Sequence, residues 1–107
     1  MVNNDKGKRL FNKLVWIILE TLYEASESRD KLGGAPESYI WIPMSQNIPQ
    51  LNVDLFMEIM RACERAGYWT IKSHYVTLTP KGYDLAKDLK AKIEAQGIRG
   101  SASSGHI

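Results

Sequence analysis

Apolar residues begin at Leu10 and continue to Tyr23 without a glycine or proline, and their spacing is helical. Phe11, Leu14, Val15, Ile18, Leu22 and Ala25 fall on one stripe. Trp16, Leu19 and Tyr23 fall on a second beside it, and Lys13, Glu20 and Glu24 mark a narrow polar strip. The pattern predicts a first helix over residues 8–27. So apolar a helix must be covered on most of its surface, by later elements or by a second chain, and Trp16, Leu19 and Tyr23 are therefore the expected homodimer interface. Residues 26–38 are polar, contain Gly33-Gly34 and Pro36, and read as a loop. In YIWIPM, Tyr39, Trp41 and Pro43 alternate with Ile40, Ile42 and Met44, which predicts a short strand with Pro43 at an edge or end. The following SQNIPQLN, interrupted by Pro49, predicts a turn or a short irregular helix.

From Val53 the helical period returns. Val53, Phe56, Ile59, Met60, Cys63 and Gly67 lie on one face, with Asp54, Met57, Glu58, Arg61 and Arg65 on the other. Gly67 suits the left-handed stop of such a helix. Tyr68 to Ile71 and Tyr75 to Leu78 are alternating runs joined by Lys72-Ser73-His74, the pattern of a minimal hairpin with strands at about 68–72 and 75–79. Thr79 then offers a capping oxygen and Pro80 a first helical position, so a last helix starts there, turns Tyr83, Ala86, Leu89 and Ile93 inward, and ends near Gly97. The expected organisation is a flexible N-terminus over 1–7, one domain over 8–96 and a disordered tail over 97–107.

The stretch AGYWTIKSHYVTLTPKGYDLA, Ala66 to Ala86, resembles winged helix-turn-helix domains of MarR- and PadR-type transcriptional regulators. In that family a glycine stops the recognition helix, a two-stranded wing follows, and a Leu-Thr-x-x-Gly turn, here Leu78 to Gly82, opens the next helix. The resemblance covers about residues 10–95. It implies an α+β, mainly helical fold with a short two-stranded wing between flanking N- and C-terminal helices, and a small dimeric DNA-binding regulator. By position, Ser45 to Gln50 would be the first helix of the motif, Asn52 its turn, Val53 to Ala66 the recognition helix, and Lys72, Ser73 and His74 the wing tip. Pro49 and the short wing tip depart from the family pattern.

Base edges are read by hydrogen bonds and phosphates by positive charge, so the exposed polar residues of these elements are the candidate contacts. They are Ser45, Gln46, Asn47, Asn52, Met57, Arg61, Arg65, Lys72, Ser73 and His74, with a basic arm of Lys6, Lys8 and Arg9. Each group has a second reading. Arg61 and Arg65 can pair with Glu58 and Glu64 as an ordinary solvated helix face, and the arm can be a solubilising terminus. The formal charge of +2 does not choose between them.

No catalytic constellation stands out. His74 falls on a hairpin tip and His106 in the tail, no His/Cys/Asp set has metal-ligand spacing, and no glycine-rich phosphate loop occurs. Cys63, the only cysteine, sits on the apolar stripe of its helix, where packing is expected rather than reactivity. No enzyme activity, cofactor or metal is expected. No apolar run approaches the roughly 20 residues of a membrane span, and the N-terminus lacks the apolar core of a signal peptide, so the expected setting is cytoplasmic. The alternative to DNA binding is a winged-helix module that holds another protein, since one fold serves both uses.

Overall fold

The double apolar stripe of the first helix needs cover, and the later elements of the same chain provide it. The computed structural model describes the backbone of residues 2–105 and the side chains of residues 8–96. In order the elements are α1 (Val2–Glu24), β1 (Gly34–Pro36), α2 (Glu37–Asn47), α3 (Val53–Ala66), β2 (Trp69–Lys72), β3 (Tyr75–Leu78) and α4 (Pro80–Gly105). The chain is α+β and mainly helical, with a three-stranded antiparallel sheet in the order β1-β3-β2. Helix α1 starts before the expected residue 8 and ends three residues short of the expected 27, and α4 runs past the expected end near Gly97.

Leu14, Ile18, Leu19 and Leu22 of α1 are fully buried and meet Ile59, Met60 and Cys63 of α3, Val76 and Leu78 of β3, and Ala86 of α4 in one core. This corrects the expected dimer stripe at Leu19. Leu19 has no exposed surface, Tyr23 stacks at 4.8 Å on Tyr83 of α4 with Lys90 over its ring, and Trp16 is half-buried against the same core. Leu19 thus has nothing to offer a second chain, whereas α4 covers Trp16 and Tyr23 only in part.

A second correction concerns residues 39–44, which are helical. Apolar residues occur on every side of α2, so alternation and helical period both fit its sequence. Burial settles the period: Ile40 and Met44, one turn apart, are buried, with Ile48 continuing the row, while Tyr39 and Ile42 face outward. Pro36 precedes the helix and Glu37 places an acid in its first turn, a recognisable helix start that favours this state. Pro43 removes one internal hydrogen bond without ending the helix. The strand that does form lies earlier, where Gly34, Ala35 and Pro36 pair with Thr77, Val76 and Tyr75, so the expected two-stranded wing is part of a three-stranded sheet. Gly34 is needed for this approach, because a Cβ there would lie 2.3 Å from the Val76 carbonyl oxygen.

The junction from α3 through the hairpin to α4 follows the sequence reading. Gly67 adopts φ 90°, the left-handed conformation that glycine enters at least cost, and its N–H and that of Tyr68 return to the carbonyls at the end of α3. Strands β2 and β3 pair from Trp69↔Leu78 to Lys72↔Tyr75 around the two-residue turn Ser73-His74, both with positive φ, as a two-residue hairpin requires. Thr79 caps α4: its hydroxyl oxygen accepts from the Gly82 N–H at 3.1 Å while the hydroxyl donates to the Gly67 carbonyl. Lys81 adds a bond of 2.7 Å to the Ala66 carbonyl.

Gly82 yields a test in which two effects oppose one another. Alanine is favoured over glycine inside a helix by about 1 kcal/mol, but a Cβ at this position would sit 2.0 Å from the Tyr68 carbonyl oxygen. The clash should win. Gly82→Ala is expected to lower stability by about 1–3 kcal/mol in urea denaturation; a gain in stability would show that α4 does not start against β2 as described.

Candidate nucleic-acid interface

The expected contact residues distribute unevenly over the fold. Helix α3 is capped by Asn52, whose side-chain oxygen accepts from the Leu55 N–H at 2.8 Å. That oxygen is committed to the helix start. Phe56, Ile59, Met60 and Cys63 point into the core, and Asp54, Glu58, Arg61, Glu64 and Arg65 point outward. Met57 is half-buried and leans towards Trp41 and Phe56 instead of standing free on the outer face.

Arg61 and Arg65, one turn apart, are both exposed, and among the described residues neither has an ion-pair partner within 4.0 Å. The alternative pairing with Glu58 and Glu64 does not form. Glu64 instead accepts a hydrogen bond of 2.9 Å from the Ile71 N–H, tying the end of α3 to β2 and bringing Lys72 to the neighbouring position on the hairpin. The outer face of α3 carries Asp54 and Glu58 towards its start and Arg61, Glu64 and Arg65 towards its end.

Ser45, Gln46 and Asn47 occupy the last turn of α2, not the first turn of a helix beginning at Ser45. Two of the three are engaged with the helix itself: the Ser45 hydroxyl donates to the Ile42 carbonyl at 3.0 Å and the Asn47 amide to the Pro43 carbonyl at 2.8 Å. Residues 48–52 form the turn between α2 and α3, anchored by buried Ile48 and Leu51. Lys8 and Arg9 are exposed on α1. The Lys6 side chain and His106 lie outside the described residues.

The hairpin turn is tied down. His74 accepts at its carbonyl from the Glu37 N–H, and its Nδ1 lies 2.8 Å from Glu37 Oε1, so the hairpin turn rests on the start of α2. Lys72 and Ser73 remain exposed. Glu37 and Trp41, which the sequence placed in a loop and a strand, border an apolar cleft between α2, α3 and this turn. The Pro36-Glu37 helix start and the Ile40, Met44, Ile48 row were the available signals for their placement.

Among the described residues no three His, Cys, Asp or Glu side chains gather as a metal site would need, and no helix is long and apolar enough to cross a membrane. No family model matches the chain, and neither does any of the curated proteins or solved structures compared with it.

Burial pushes the Cys63 thiol up from 9.0 to about 11, because the thiolate has no place in the core. It should therefore react with thiol reagents at neutral pH only as fast as the protein opens. The folded state prefers the protonated thiol, so its contribution to stability is complete below about pH 9 and is lost as pH rises through about 11. Relative to Cys63→Ala, the native protein should lose on the order of 2 kcal/mol over that window. Parallel pH profiles for the two proteins would contradict the burial of this thiol.

Proposed function

We propose that the chain is a winged-helix domain that binds double-stranded DNA, with α2 and α3 as the helix pair, α3 as the recognition helix and β2–β3 as the wing. The observation that carries this reading is the Arg61, Arg65 and Lys72 group: three exposed cations without ion-pair partners among the described residues, on a helix and hairpin joined by the Glu64–Ile71 bond. Cations held at fixed spacing on a rigid surface suit the phosphate backbone, whose neutralisation releases counterions and dominates non-specific affinity. Because Asp54 and Glu58 sit at the other end of the outer face, the C-terminal half of α3 and the wing supply the attraction. Arg61, in the middle of the face, is the base reader, and Arg65 and Lys72 meet phosphate.

One observation favours a protein partner instead. Tyr39 and Ile42 on α2 are 66% and 52% exposed and Val53 at the start of α3 is 57% exposed, more apolar surface than a phosphate-facing side needs. The two readings separate in one assay, fluorescence anisotropy of mixed-sequence duplex DNA at two salt concentrations. DNA binding predicts affinity that falls steeply with salt. Arg65→Ala and Lys72→Ala should each reduce the slope of log affinity by about one unit, and Arg61→Ala should cost about 1–3 kcal/mol on a selected sequence and relax preference at one position. Salt-insensitive, negligible binding by the native protein and all three variants would remove the DNA reading and leave the protein-interaction module.

A further inference from the structure

The cleft between the start of α2, the start of α3 and the hairpin turn has a volume of about 330 Å³, in the lower range for small-molecule sites. Its walls are Trp41, Val53, Phe56 and Met57, and its polar groups include Glu37 and His74. Trp41 and Phe56 meet edge to face at 5.2 Å, so ring surface is available to a flat occupant. Lys72, the nearest cation in sequence, does not line it.

Glu37 is unusual in this setting. Its side chain is only 12% exposed, one carboxylate oxygen is held by His74, and the other is buried with no hydrogen-bond partner, the single such side-chain atom among the described residues. A carboxylate withdrawn from water with half its acceptors unused is costly, and a cationic donor would relieve that cost. His74 is a weak occupant of the position: its side chain is 90% exposed and it sits on a non-glycine turn residue with φ 65°.

We propose that this cleft binds a small aromatic amine, its ammonium replacing the His74 imidazole on the Glu37 carboxylate and its ring lying against Trp41, Phe56 and Met57. The apolar walls select the ring and the lone carboxylate selects the positive charge. The His74 ring acts as a built-in stand-in for the ligand, so binding displaces the ring while the Glu37 N–H to His74 carbonyl bond keeps the turn on α2. The site stands whether or not the outer face of α3 meets DNA, because it requires none of Arg61, Arg65 or Lys72.

The test uses three probes with one ring system and different charge: tryptamine, indole-3-ethanol and indole-3-propionate, titrated into the full-length isotope-labelled protein and followed by NMR at the Trp41 indole N–H and the Glu37 and His74 amides. Tryptamine is expected to bind at least about tenfold more tightly than the alcohol, with the propionate weakest, as a charge-assisted bond predicts. Glu37→Gln, nearly isosteric, should abolish that discrimination while retaining indole-ethanol binding, and its far-UV circular dichroism would confirm that it is folded. His74→Ala should bind tryptamine as tightly as the native protein or more so. Equal affinity for the three probes, preference for the propionate, or unchanged discrimination in Glu37→Gln would overturn the site; weaker tryptamine binding by His74→Ala would overturn the displacement of the His74 ring.

Discussion

The arrangement depends on the burial of Trp69. Its ring is wholly inside the fold and its indole N–H donates to the Met60 carbonyl at 3.0 Å, so the residue that opens the hairpin is fixed to the middle of the preceding helix. Gly67 makes this possible by reversing the chain in a left-handed conformation two residues earlier. A large ring buried with its one donor satisfied is worth several kcal/mol, typically about 3–5 when removed to alanine. With Trp69 fixed, the register of β2 on β3 follows, and β3 in turn collects β1 on its other edge. Thr79 and Gly82 then start α4 against the same corner, and α4 closes α1.

This order of dependence puts the polar groups where they are. Since α3 and β2 are joined at Trp69 and again at Glu64, the helix that carries Arg61 and Arg65 is fixed relative to the strand that carries Lys72. The sheet also carries the hairpin turn onto the start of α2, where Glu37 takes both the His74 carbonyl and its ring. Holding Glu37 there leaves a carboxylate oxygen buried beside aromatic walls, an arrangement that packing alone does not require.

Legibility in the sequence tracked how many signals agreed at each element. For α3 the amphipathic period and the Gly67 stop coincided, so both bounds and the Phe56, Ile59, Met60 and Cys63 row were readable, while Val53, expected inside, is exposed and Met57, expected outside, is half-buried. The hairpin and the Thr79-Pro80 helix start were readable for the same reason, although Gly34 to Pro36 gave no hint of a third strand because its three residues pair through backbone alone. For α2 the signals conflicted: apolar residues all round the helix erase its period, and Pro43 argued against it, so its burial had to come from tertiary contact. That one misreading moved Ser45, Gln46 and Asn47 to the wrong end of a helix and hid Glu37 and Trp41 altogether. The α1 stripe was correctly seen as needing cover, but a sequence does not tell whether cover comes from α4 or from a second chain.

The central claim is that the C-terminal half of α3 and the start of the hairpin form one polyanion-binding surface. Titrating the isotope-labelled protein with a short duplex and following backbone amides tests it most directly. The account predicts graded shifts at residues 61–65 and 70–74 that reverse on adding salt, because phosphate attraction is screened and counterion-linked. Shifts confined to α1 and α4, or the absence of any shift at low salt, would contradict it.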